Sequence, residues 1–277
     1  MREQAEAGSA APQKFYELMP FGVARIPYLN AEPFYDGWDL PGISPVDLVP
    51  RRLGEEARAG SVDAGLMAAA DWFSLEQEFE RIGQLGIACR GEVESVLLLG
   101  PTPVESLQGA RVVLTAQSST SAALTRILLG HRFGLTDMRY ERGDYAAPAS
   151  IPDGEAWLVI GDAALAARRA APDRVILDLG SAWSEWTGLP FVFAVWATRR
   201  SLEPPDVAAL EVFLHDCLAR GERSLGAIAL RYAERTAGRL GSPGELTHYL
   251  ERFTYRLGAE EERGLEAFRH LWKELPA

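Results

Sequence analysis

Short apolar runs punctuated by glycine and proline, most of them alternating with helix-patterned stretches, constrain this chain more than any other feature. The runs fall at residues 22–26, 46–49, 62–67, 93–99, 111–115, 157–160, 175–177 and 191–197. They are rich in Val, Ile and Leu and too short for buried helices, so they read as buried strands. Helical patterns at 51–59, 121–129 and 162–170 lie between several of them. Strands and helices in alternation form an α/β protein with a largely parallel sheet covered on both faces. From Glu203 onward no further strand is expected. The segments 206–220, 223–237, 243–256 and 259–275 each read as a helix, with Gly or Pro between them, and Leu246, Tyr249, Leu250 and Phe253 form one apolar stripe on the third.

At 277 residues the chain exceeds one small core and fits two lobes. The proline-bearing turn at 100–103 and the strand near 192–196 are the expected crossovers. The reading divides the chain into a leader at 1–18, a first part of lobe one at 19–100, lobe two at 101–194, and a helical return to lobe one at 195–277. Translation from Met1 or from Met19 is equally compatible with that leader.

Charge and cysteine content then exclude whole classes. Lys and Arg number 28 against 39 Asp and Glu, a formal net charge of −11. Broad binding to a nucleic-acid backbone needs clustered positive charge, and none is seen. A small anion remains a suitable ligand, because a few oriented N–H groups hold a carboxylate whatever the overall field. Cys89 and Cys217 form no CxxC pair, so neither a disulfide framework nor a zinc knuckle is indicated, and a reducing compartment fits. No apolar run reaches the ~18–20 residues of a membrane helix. The leader lacks the basic start and apolar core of a signal peptide, so a cytoplasmic protein is expected, without a membrane partner and with its oligomeric state open.

No dinucleotide fingerprint, phosphate-binding P-loop, HExxH or GxSxG occurs. His131, His215, His248 and His270 are scattered and read as solvated, so no metal site is indicated.

Several polar segments sit where open α/β sheets bind ligands, beyond the carboxyl ends of strands. After the first strand come Arg25, Tyr28 and Asn30: a partner for a carboxylate, a hydroxyl on a flat ring, and an amide that donates and accepts. Asn30 would equally serve as a helix cap. Ser118, Ser119, Thr120 and Ser121 open a helix, combining hydroxyls with unpaired backbone N–H groups in an anion cradle; capping alone needs only one of them. Ser95 enters the strand that leads toward the crossover, although an isolated strand serine is usually structural. Gly161 allows close approach at the end of another strand, and Asp162 either caps the next helix or faces the cleft as a base.

Together these segments resemble the chorismate dehydratase family, which opens the futalosine route to menaquinone. The likeness lies in RIPYLN with Pro33 following, GEVESV, SSTS before a helix, VIGDAAL, and DLGSAWSEWTGLPFVFAVW, in the family's order across residues 22–197. Cys89 departs from it, standing where the family often has a small polar residue. The resemblance implies a two-lobed periplasmic-binding-protein-like (type II) fold with a helical C-terminal region. It implies chorismate as substrate, 3-[(1-carboxyvinyl)oxy]benzoate as product, and neither metal nor redox cofactor. Ser118, Ser119, Thr120 and Ser121 would bind one carboxylate. Asn30 and Ser95 would hold the other carboxylate or the departing hydroxyl. The base would be the substrate's own enolpyruvyl carboxylate, or Asp162, with Arg25, Tyr28 and Gly161 lining the site. The alternatives are the naphthoate-forming enzyme of the same route, which typically uses a second-lobe histidine, and a non-catalytic small-anion-binding protein on this fold.

Overall fold

The computed structural model describes residues 21–143, 145 and 147–276, so the expected leader at 1–18 lies outside the described residues. In chain order the first elements are β1 (Val23–Arg25), a 3₁₀ turn (Leu29–Phe34), β2 (Val46–Asp47), α1 (Pro50–Ala59), β3 (Ala64–Ala68), α2 (Ala69–Leu75) and β4 (Phe79–Cys89). There follow β5 (Val96–Leu99), β6 (Arg111–Thr115), α3 (Ser119–Ile127), β7 (Arg139–Gly143), β8 (Glu155–Ile160), α4 (Gly161–Ala170), β9 (Val175–Asp178) and α5 (Leu179–Thr187). The chain ends with β10 (Phe191–Arg199), α6 (Pro204–Arg223), α7 (Leu225–Arg235), α8 (Pro243–Leu250), β11 (Phe253–Arg256) and α9 (Ala259–Lys273).

The strands form two sheets, in the orders β11-β4-β10-β3-β1-β2 and β7-β6-β8-β5-β9. Both are mixed, where a largely parallel sheet was expected. β1 runs parallel to β2 and β3, and β6 parallel to β7 and β8, but β5 and β10 run antiparallel to their neighbours. Those two strands arrive from the opposite lobe, so each enters its sheet from the far end.

The crossings also fall elsewhere than at the turn 100–103 and the strand near 192–196. β5 already belongs to the second sheet and all of β10 to the first, so the chain crosses between Cys89 and Val96 and again between Asp178 and Phe191. One carboxylate ties the crossings together. Asp178 accepts from the backbone N–H groups of Val93 (3.1 Å), Glu94 (2.8 Å) and Ser181 (3.0 Å). Glu94 is held there at φ +60°, a left-handed conformation that a side chain resists.

Helices α6, α7 and α9 pack against elements of the first sheet's lobe, and one of the four expected C-terminal helices needs correction. The segment 243–256 is helical only to Leu250, and Phe253–Arg256 adds an edge strand to β4. Phe253 and Tyr255 are buried while Arg256 is exposed, the two-residue period of a strand. α6 seats the 3₁₀ turn through Gly221, where a Cβ would collide with the backbone of Pro33. Backbone cannot yield as a flexible side chain does, so Gly221→Ala is expected to destabilise the protein by about 1–3 kcal/mol, read as a lower melting temperature. The central core, including the fully buried Trp183, Trp196, Phe34 and Phe268, runs through both lobes. No helix among the described residues is long and apolar enough to cross a membrane.

Candidate active site

The residues that follow β1 reach across to the second lobe. Tyr28 is extended (φ −114°, ψ 150°) and donates its hydroxyl to Gln117 Oε1 at 2.6 Å. Its ring lies against Gly161, which stands at φ +59°; a Cβ there would fall 3.0 Å from the ring. The Gly161 N–H in turn donates to the Ser95 carbonyl at 2.8 Å. Asn30, two residues beyond Tyr28, thus comes to share a cavity with Ser95, Ser118, Ser121 and Gly161. Its walls are apolar, among them Ile26, Leu66, Ile87, Ile160 and Phe193, a composition typical of sites for small organic ligands.

The polar groups are few and fixed. Ser118 is the cap of α3: its Oγ accepts from the Ser121 N–H and its hydroxyl donates to Ser121 Oγ, both at 3.1 Å. The capping role and the cavity-lining position therefore belong to the same residue. Ser95 is almost wholly buried, and Tyr249 donates to its Oγ at 2.8 Å. Burial holds the Tyr249 hydroxyl well above its ordinary pKa, so it remains a donor at neutral pH. The Asn30 amide is bound by no protein group among the described residues, and it does not cap the 3₁₀ turn, whose cap position is Tyr28. No carboxylate, imidazole or guanidinium among the described residues lines the cavity.

Other residues singled out in the sequence stand outside this cavity. Arg25 donates to Glu32 Oε1 at 2.6 Å and lies over the Tyr35 ring, beside a separate surface pocket. Ser119 faces the opposite side of α3. Thr120 Oγ1 accepts from the Ala70 N–H at 2.9 Å, tying lobe two to lobe one. Asp162 neither caps α4, whose cap is Ile160, nor reaches the cavity; its Oδ2 accepts from the Tyr232 hydroxyl at 2.6 Å. Burial raises the Asp162 pKa from its ordinary value despite that hydrogen bond. All four histidines are exposed to solvent, and His131 pairs with Glu274 rather than turning inward. No group of three or more His, Cys, Asp or Glu among the described residues is placed to hold a metal ion.

Gln117, Tyr232 and Tyr249 carry no sequence signal of their role. Tyr249 belongs to the apolar stripe of α8, and nothing in that spacing announces where its hydroxyl points. The ties Tyr28–Gln117, Ala70–Thr120 and Tyr232–Asp162, with the Arg51 N–H on the Gln117 carbonyl (2.9 Å), hold the lobes closed around the cavity.

Two mixed sheets, paired crossings and an interlobe cavity define a binding-protein-like α/β scaffold. A crystal structure of a protein from Archaeoglobus fulgidus matches it with a TM-score of 0.74 at 17% identity, over 92% of this chain and 97% of that one. The periplasmic aliphatic sulphonate binding protein of Escherichia coli matches with a TM-score of 0.53 at 18% identity, over 84% and 76%. In sequence, the family model described as menaquinone biosynthesis matches residues 21–274. A chorismate dehydratase of Thermus thermophilus is 32% identical over 91% of this chain and 94% of its own length. A 1,4-dihydroxy-6-naphtoate synthase of the same organism is 26% identical over 80% and 82%. The chain belongs to the menaquinone-biosynthesis family, in the chorismate dehydratase line that its motifs suggested.

Proposed function

We propose that the protein is a hydro-lyase that eliminates water from chorismate to give 3-[(1-carboxyvinyl)oxy]benzoate, in the cytoplasm, as an early step of menaquinone formation by the futalosine route. One observation carries this reading within the family: donors from both lobes meet in a cavity that no carboxylate or imidazole among the described residues lines. The reaction removes the proton at ring C3 and the hydroxyl at C4, and the electron pair left at C3 completes the aromatic ring. Aromatisation supplies the driving force, so the protein's task is to position the substrate and to stabilise departing charge. The enolpyruvyl carboxylate, carried on C3 itself, takes the proton. Ser118 and Ser121 at the start of α3 hold a carboxylate, where the helix dipole contributes about 0.3–1 kcal/mol and more when partly buried. Asn30 hydrogen-bonds the departing hydroxyl as a donor that needs no reorganisation, and Ser95, whose hydroxyl donates to the Val93 carbonyl at 3.3 Å while accepting from Tyr249, turns from that carbonyl toward it. Tyr28 and Phe193 flank the ring. Cys89 and Cys217, both buried free thiols, suit a reducing compartment.

On this reading Asp162 is an interlobe tie and not the base. Asp162→Asn keeps an acceptor for Tyr232 and is expected to retain turnover within about fivefold of wild type, an effect below that of losing a general base. Because folding raises the Asp162 pKa, the stability this group contributes is complete below the unfolded carboxyl pKa and is lost as pH rises through the folded value. The asparagine variant is therefore expected to melt no lower than wild type at neutral pH. A loss of turnover of ~100-fold or more with binding intact would make Asp162 the base.

The reaction itself is tested by incubating the protein with chorismate and following loss of one water and appearance of the aromatic enolpyruvyl ether. Capture of chorismate without turnover would leave a binding protein. Conversion of a cyclic futalosine derivative in place of chorismate would assign the naphthoate-forming activity; His131, the histidine that reading would draw on, is at the surface.

A further inference from the structure

On the face of α3 that turns away from the cavity, a wider groove with about 1570 Å³ of open space runs between the lobes. Lobe one lines it with Arg51 and Arg58 from α1, and lobe two with Arg126 from α3 and Arg142 from β7. Lys273 at the end of α9 adds to the positive charge. The carboxylates in the groove are already engaged. Glu55 meets Arg51 at 3.1 Å and Arg52 at 3.4 Å, Asp71 meets Arg58 at 3.3 Å, and Glu141 meets Arg111, outside the groove, at 2.8 Å. Among the described residues no carboxylate pairs with Arg126 or Arg142. Arg126 lies over the Tyr140 ring, and Arg142 donates to the carbonyls of Thr115 at 2.9 Å and Ser118 at 3.4 Å.

This arrangement is costly in an otherwise acidic chain whose arginines are mostly ion-paired. Burial, and then repulsion from Arg51 across the lobe boundary, holds the Arg142 guanidinium below its ordinary pKa. Facing guanidinium groups are what a multiply charged oxyanion engages best, since each offers a planar fork of donors. We propose that this groove is a second anion-binding site, which takes a compact phosphate or polycarboxylate between guanidinium groups of the two lobes. An anion held from both sides favours the closed arrangement over any open one, by its differential affinity for the two. The first turn of α3 connects the sites: Ser118 and Ser121 face the cavity while Ser119 faces the groove.

Calorimetric titration tests this without reference to turnover, so its outcome is separable from that of the chorismate reading. The probes are inorganic pyrophosphate and citrate, at constant ionic strength set with sodium chloride. Saturable binding of either is expected, and which of the two binds tells phosphate from polycarboxylate recognition. Losing a charge-assisted hydrogen bond weakens binding by about 10-fold, so Arg126→Gln is expected to lose about 10-fold and Arg51→Gln/Arg126→Gln about 100-fold. Should the double variant not fold, the single Arg51→Gln, on an exposed face of α1, is expected to lose about 10-fold. Absence of saturable binding for both probes would overturn the proposal. So would undiminished binding by the folded variants, because the anion would then sit elsewhere.

Discussion

Asn30→Ala is expected to lower turnover of chorismate by about 100-fold or more, the range seen when a single fixed donor to developing charge is removed. The melting temperature should stay within about 2 °C of wild type, because the substitution removes no contact that holds the fold. Asn30 sits in a 3₁₀ turn whose neighbours Leu29, Ala31, Pro33 and Phe34 are buried, while its own amide faces the cavity without a protein partner. The turn is thus anchored by its apolar side chains, and Asn30 is left to the ligand. Steady-state kinetics beside a thermal melt checks both halves. Unchanged turnover would remove Asn30 from the site, and a large drop in melting temperature would make its role structural.

The second large effect is expected at Gly161. Alanine there meets two separate obstacles. A φ of +59° costs a residue with a Cβ about 1–2 kcal/mol. The new methyl also presses on the Tyr28 ring, an overpacking of about 1–3 kcal/mol. With about 2–4 °C per kcal/mol for a chain of this size, the melting temperature should fall by roughly 5 °C or more. Turnover should fall at least as far as in Asn30→Ala, because the displaced ring has the cavity to move into. The two obstacles separate in a double-mutant cycle. Adding Tyr28→Ala relieves the collision but not the backbone strain, so the pair should be less destabilised than the sum of the single variants. Strict additivity would show that the ring and the glycine do not press on one another.

Much of this architecture was legible in the chain because buried strands announce themselves. β6 lies at 111–115, as the apolar run there indicated, and β8, β9 and β10 within a few residues of theirs. The strands not legible in the chain are those whose sequence is not continuously apolar. β7 reads Arg-Tyr-Glu-Arg-Gly and lies at a sheet edge, largely exposed. β4 is interrupted by Gly83 and Gly86, both of which pack closely against other elements and so forgo side chains. β11 was masked because Phe253 continues the helical spacing of Leu246, Tyr249 and Leu250 as well as it fits a strand. The site followed the same division. Asn30, Ser95, Ser118, Ser121, Tyr28 and Gly161 lie together because each stands beside a strand end or at a helix start at the cleft. Arg25, Ser119, Thr120 and Asp162 belong to the same segments, but a one- or two-residue step along the chain turns a side chain to a different face. Which face is chosen depends on tertiary partners such as Glu32, Ala70 and Tyr232, distant or unremarkable in sequence.

The most direct measurement is a crystal structure of the protein with 3-[(1-carboxyvinyl)oxy]benzoate bound. The product ring should lie between Tyr28 and Phe193, with one carboxylate on the α3 start at Ser118 and Ser121 and with Asn30 and Ser95 at the ring carbon that lost its hydroxyl. Product bound in the arginine-lined groove, or anywhere outside the cavity that Asn30 and Ser95 share, would contradict a dehydration carried out between the lobes.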